Sequence, residues 1–116
     1  MNIAKSKIKR RKSSVFRYKV IRKIRERISE YRPDKVYLFG SYARGEADEL
    51  SDIDLVVIKE TGEAFFDRIR HILKILDLNR AVDVLVYTPL EFQEMLQREN
   101  AFAEMILEEG ILIYGR

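Results

Sequence analysis

Cysteine is absent from the 116 residues, and histidine occurs once, at His71. These shortages exclude a disulfide framework, a thiol nucleophile and a Cys/His zinc site, and they leave a Ser-His-Asp triad with little raw material. No apolar run approaches the roughly 20 residues of a membrane span. The charged N-terminus is not followed by the apolar stretch of a secretory signal. A cytoplasmic protein with no membrane contact is the expectation. Carboxylates, hydroxyls and cations remain as the groups available for chemistry.

Acidic residues are also scarce, but only at one end. Residues 1–28 hold 12 basic side chains against one acid, Glu26, giving +11; the net charge of +3 therefore leaves −8 for residues 29–116. Residues 1–13 lack periodic apolar positions and are expected to form a flexible basic arm. Clustered cations attract polyanions whatever the fold, so such an arm suits RNA, a triphosphate or an acidic protein. A solvated tail is the plainer reading. With 47% hydrophobic residues, 14–116 can bury the core of one domain.

Ile21, Ile24, Ile28 and Tyr31 recur at helical spacing, which predicts an amphipathic helix over about 14–31 with its cations on the open face and Pro33 as its stop. Strands are predicted at 36–39, 53–58 and 81–87, and a closing strand at 111–114. Between the second and third strands, Phe65, Phe66, Ile69, Ile72, Leu73 and Leu76 fall on one side of a helix, with His71 off the stripe and exposed. Thr88, Pro89 and Glu91 fit the start of another helix, and broken helical structure runs from there to Glu109, where Gly110 ends it.

The segment from Phe39 to Val57 reads FGSYARGEADELSDIDLVV. Gly40 has no Cβ, so a phosphate can approach the backbone, and a helix starting near Ser41 would aim free N–H groups at it. Ser41 adds a hydroxyl, Arg44 a cation that can reach phosphate or a carboxylate, and Gly45 a tight exit. Asp52 and Asp54 stand two apart on a strand and share a face, with roughly 6 to 7 Å between their Cα atoms. Two such carboxylates can share a hard cation. Asp83 interrupts an apolar strand, a costly position unless it faces a cleft, a partner or a metal. Singly, each has a plain structural reading as turn, strand cap or ion pair. The order of strand, Gly-Ser, Ala-Arg-Gly, Ser-Asp-Ile-Asp, strand, helix and Asp on a strand points to a catalytic site. It is not a Walker A loop, because no Gly-Lys-Ser/Thr closes it.

In Gly40-Ser41, in Asp52 and Asp54, and in the ending EEGILIYG, the chain resembles the DNA polymerase beta superfamily of nucleotidyltransferases, and most closely its minimal nucleotidyltransferases, across residues 15–116. The resemblance implies an α/β fold of the α+β kind, with a mixed four-stranded sheet and helices packed mainly on one face. It implies that Gly40 and Ser41 bind the triphosphate of ATP with Arg44 helping, and that Asp52 and Asp54 hold Mg²⁺. Asp83 would complete the metal set and take the proton from the acceptor hydroxyl. Two Mg²⁺ ions roughly 4 Å apart would stabilise the attacking and leaving oxygens of an in-line displacement. Minimal members resemble the nucleotidyltransferase half of two-protein modules whose partner is a helical HEPN protein, often an RNase toxin. There the small enzyme is the antitoxin and can transfer AMP to a tyrosine of its partner. Antitoxin action by contact alone, or transfer to RNA or a small molecule, are the other readings, and the apolar C-terminal strand would also serve a homo-oligomer.

Overall fold

Apolar residues alternate along the strands on both faces of the sheet, so both faces need cover. The computed structural model describes residues 2–116, with side chains from Val15 onward. Strands β1 (Lys35–Phe39), β2 (Ile53–Ile58), β3 (Val82–Tyr87) and β4 (Ile111–Gly115) form one sheet ordered β3-β2-β1-β4. β1 runs antiparallel to β2 and to β4, while β2 and β3 are parallel, which gives the mixed four-stranded sheet expected. Parallel neighbours need a crossover, and helix α3 (Phe65–Leu76) supplies it.

One face carries Val36, Leu38, Leu55, Val57 and Val86 against Ile24 and Ile28 of α1 (Asn2–Ile28) and Ile72 and Leu76 of α3. The five-residue helix α2 (Gly40–Arg44) adds Tyr42 to that core. The opposite face carries Tyr37, Val56 and Ile58 against Phe92 of α4 (Pro89–Gln97) and Ala103 and Ile106 of α5 (Ala101–Glu109). Helices on one face thus describes α1, α2 and α3, whereas α4 and α5 cover a smaller patch opposite.

Helix α1 gives way to a 3-10 turn at Ser29–Tyr31, just before Pro33. The expected basic arm, residues 1 to 13, has its side chains outside the described residues. Three arginines expected on the open face of α1 instead dock it. Arg17 Nε donates to the Tyr42 carbonyl at 2.7 Å, Arg25 Nε to the Ile113 carbonyl at 2.7 Å, and Arg27 Nη1 to the Leu76 carbonyl at 2.6 Å. The last contact satisfies an orphan carbonyl at the end of α3 and sets a cation at its negative pole.

The stripe expected on α3 is narrower than its apolar residues suggested. Phe66 is 69% exposed and Leu73 39%, while Arg68 is only 7% exposed. Arg68, Ile72 and Leu76 lie four apart and form the buried line. Arg68 is tolerated there because its donors are used: Nε on the Glu63 carbonyl at 2.8 Å, Nη1 on the Val86 carbonyl at 3.2 Å and on Glu91 Oε1 at 2.6 Å. Glu91 is also the N3 partner of Thr88 in the capping box that starts α4, as its sequence pattern predicted. His71 is exposed, as expected, and contacts Glu63 at 3.0 Å.

The hydrogen bond from Arg68 holds the Glu91 carboxyl below its ordinary pKa. Its stabilisation is therefore present above the unfolded carboxylate pKa and is lost as pH falls through the lowered folded value. Glu91→Gln should cost about 1 kcal/mol at pH 7, a figure reduced for screening because the carboxylate is partly exposed. Urea unfolding should show the gap between variant and wild type closing between pH 7 and pH 3.

Candidate active site

Strand pairing sets two of the expected carboxylates side by side. Asp54 is the register partner of Phe39 on one side and of Asp83 on the other. Its neighbours Ile53 and Leu55 point into the α1/α3 core and are fully buried, so Asp54 and Asp83 must point to the opposite face. Asp52, two residues before Asp54, lies on that same face. The cover from α4 and α5 is made by contacts at Tyr37, Val56 and Ile58, and Asp52 and Asp83 stay exposed with Asp54 partly buried.

Gly40 stands where β1 turns into α2, with φ +69°, and a Cβ there would collide with the Asp54 carboxylate oxygen Oδ2. The residue must be glycine on two counts: the left-handed backbone and the close approach of the carboxylate. Ser41 follows in the first turn of α2, and its hydroxyl makes no hydrogen bond among the described residues. Gly45 ends the helix with φ +73°, and its N–H and that of Glu46 return to the Tyr42 and Ser41 carbonyls. Arg44 pairs with Glu46 at 3.0 Å in an exposed contact, and its charge also acts on Asp54. A cleft of about 190 Å³ lined by Phe39, Gly40, Ala43, Arg44, Met105 and Glu109 opens beside this turn.

Burial raises the pKa of the Asp54 carboxyl, the charges of Asp83 and Asp52 raise it further, and Arg44 opposes them. The charges of Asp83 on β3 and of Asp52 thus both act on Asp54. Among the described residues, no group of three His, Cys, Asp or Glu side chains is gathered closely enough to hold a metal ion. Chemically the set fits a hard divalent cation: all its donors are carboxylate oxygens, and its central member carries a negative charge that burial and neighbours disfavour.

Sequence reasoning missed the residues that hold the loop between α2 and β2. Asp48 Oδ1 accepts from the Leu50 N–H at 2.8 Å and from the Ser51 hydroxyl at 3.2 Å, and Ser51 Oγ accepts from the Asp48 N–H at 3.0 Å. An Asp-x-x-Ser pattern is a turn signal that could have found this pair. Arg80 donates to the Glu49 carbonyl of the same loop, a contact between segments that no local pattern shows.

The sequence profile of the nucleotidyltransferase domain matches residues 21–113, a stretch that holds every one of these side chains. The chain belongs to the nucleotidyltransferase domain family. It is similar to a provisionally named protein adenylyltransferase of Methanocaldococcus jannaschii, at 34% identity over 82 residues covering 69% of this chain and 77% of the relative. It is also similar to the protein adenylyltransferase MntA of Thermococcus cleftensis, at 28% identity over 79 residues, 68% of this chain and 73% of that one. A provisionally assigned nucleotidyltransferase of Sulfolobus solfataricus, known from a crystal structure, shares the fold with TM-score 0.62 and 21% identity, over 90% of this chain and 87% of that chain. In this nucleotidyltransferase no described helix is long and apolar enough to cross a membrane.

Because its folded pKa is raised, Asp54 favours folding below the unfolded carboxylate pKa, and this contribution is lost as pH rises through the folded value. Asp54→Asn should therefore raise the Tm of the metal-free protein by roughly a few degrees at pH 7.5 and leave it little changed near pH 3. Gly40→Ala should cost at least about 1 kcal/mol because its φ is positive. Differential scanning calorimetry in chelator reads both.

Proposed function

We propose that this nucleotidyltransferase transfers AMP from ATP to a hydroxyl of a protein, and that its acceptor is a tyrosine of a helical HEPN toxin, which the modification silences. The observation that carries this reading is the position of Asp54, in register with Asp83 and pressed against Gly40. A carboxylate cluster beside a Gly-Ser turn is what transfer from a triphosphate needs, and the protein adenylyltransferase names of two relatives favour a protein as acceptor.

In this scheme the Gly40 backbone leaves room for the phosphates, Ser41 Oγ–H donates to a phosphate oxygen, and Arg44 leaves Glu46 to neutralise charge there. Asp52 and Asp54 would hold Mg²⁺ with Asp83 completing the set, and the ion when bound would stabilise charge on the attacking and leaving oxygens. Asp83 accepts the proton of the acceptor hydroxyl. The new bond joins that oxygen to the α-phosphorus, the bond from the α-phosphorus to the bridging oxygen breaks, and pyrophosphate leaves. The charge cost of Asp54 falls when a cation arrives, so cation binding should be stronger at higher pH.

Incubation with Mg²⁺ and each α-labelled nucleoside triphosphate, with and without a helical protein encoded beside this one, tests the proposal. Label from ATP alone should appear on a tyrosine of the partner, and Asp52→Ala/Asp54→Ala should reduce it to background. Partner binding without label would instead favour antitoxin action by contact, and label on RNA would overturn the protein acceptor.

A further inference from the structure

Arg80 lies in the segment between α3 and β3, three residues before Asp83. Its guanidinium sits over the Phe16 ring of α1 at 4.5 Å from the centroid and over the Tyr42 ring of α2 at 5.9 Å. Its Nη2 donates to the Glu49 carbonyl and lies 3.5 Å from the Asp48 carbonyl. One cation therefore touches the helix of Ser41, the loop that ends in Asp52 and, through its own backbone, the strand of Asp83. The neighbouring Ala81 carbonyl accepts from Ile53 N–H at 3.0 Å, so the same segment also pins the residue between Asp52 and Asp54.

The loop needs such a clamp. Between Glu46 and Asp52 only Ala47 is buried, and Leu50 is 92% exposed. The side-chain bonds among Asp48, Leu50 and Ser51 shape the turn itself. Asp52 sits one residue outside β2 and is not held by the ladder. Asp54 and Asp83 carry two like charges on the face that Asp52 shares, and repulsion favours any motion that swings Asp52 away. A planar guanidinium answers both needs, since its flat face stacks on aromatic rings while its edge donates to carbonyls. Lysine keeps the charge and loses the fork.

We propose that Arg80 is a positioning residue for nucleotidyl transfer, fixing the Asp48–Glu49 backbone against Phe16 and Tyr42 so that Asp52 stays beside Asp54 and Asp83. This rests on the reading of those three aspartates as the cation ligands. Arg80 itself touches no substrate in this scheme. It acts on Asp52 through the loop backbone, as groups outside the ligand set do when they orient a ligand and so tune metal affinity.

The test compares Mn²⁺ binding to the full chain, read by the paramagnetic resonance signal of the free ion, for the wild type, Arg80→Met, Arg80→Lys and Asp54→Ala. Ile72→Val serves as a control that loosens the core far from the site. Arg80→Met should weaken Mn²⁺ binding about 10-fold, Arg80→Lys less, Asp54→Ala should abolish it, and Ile72→Val should lower Tm without changing it. In the labelling assay, Arg80→Met should demand more Mg²⁺ for half-maximal transfer. If Asp54→Ala loses Mn²⁺ while both Arg80 variants bind it like wild type, Arg80 is only structural and the proposal fails with the site reading intact. If Asp54→Ala binds Mn²⁺ like wild type, the site reading fails and takes the role of Arg80 with it. Should Arg80→Met not fold, Arg80→Lys and Phe16→Leu, which removes the stacking platform, decide between the same outcomes.

Discussion

Like charges on paired strands repel, and the parallel β2–β3 pairing that sets Asp54 beside Asp83 must be stabilised by what lies behind it. The reverse face of the same two strands provides this. Leu55, Val57, Val84 and Val86 are buried against α1 and α3, and Ile53 is fully buried one residue before Asp54. Side chains alternate along a strand, so a slip of one residue would bury Asp54 and expose Leu55. Each fully buried aliphatic side chain is worth about 1.5 to 3 kcal/mol, which outweighs repulsion between partly solvated carboxylates. The core chooses the register, and the register assembles the site.

The sequence carried those two halves of the design unequally. Strand positions were legible because β2 and β3 are apolar runs with one carboxylate each at a fixed place, and the Gly-Ser turn was legible because only glycine suits a positive φ beside a carboxylate. That Asp54 and Asp83 share a register was not legible, since periodicity says which face a residue takes and nothing about which strand lies next to it. The cover on the second face escaped for a similar reason: α4 and α5 are nine-residue helices, and their apolar positions do not reveal which face of the sheet they meet.

Two departures from the sequence reading share a cause. Arg68 is buried although arginine normally marks a solvent face, and Phe66 is exposed although phenylalanine normally marks the core. Arg68 can be buried because Glu63, Val86 and Glu91 offer acceptors from other elements, and a hydropathy pattern on one helix cannot represent acceptors that tertiary structure supplies. Once Arg68 occupies the line with Ile72 and Leu76, Phe66 is turned outward by the helical period.

The charge asymmetry of the chain takes on another meaning in this light. The helix α2 that presents Ser41 has five residues, far below the length at which a helix is stable alone. It is held by the full burial of Tyr42 and by the bond from Arg17 to the Tyr42 carbonyl. Arg25 and Arg27 secure the same long helix to β4 and to the end of α3. Part of the positive charge in the first 28 residues therefore fastens α1 to carbonyls across the domain and does not face a polyanion. Lys19, Arg22 and Lys23 remain exposed, and Arg22 pairs within its own helix with Glu26 at 3.2 Å. An exposed pair of that kind contributes well under 1 kcal/mol, whereas the buried contacts of α1 decide where Ser41 stands. The basic helix is first a strap for the Gly-Ser turn, and any attraction for an acidic ligand is carried by the cations the strap does not use.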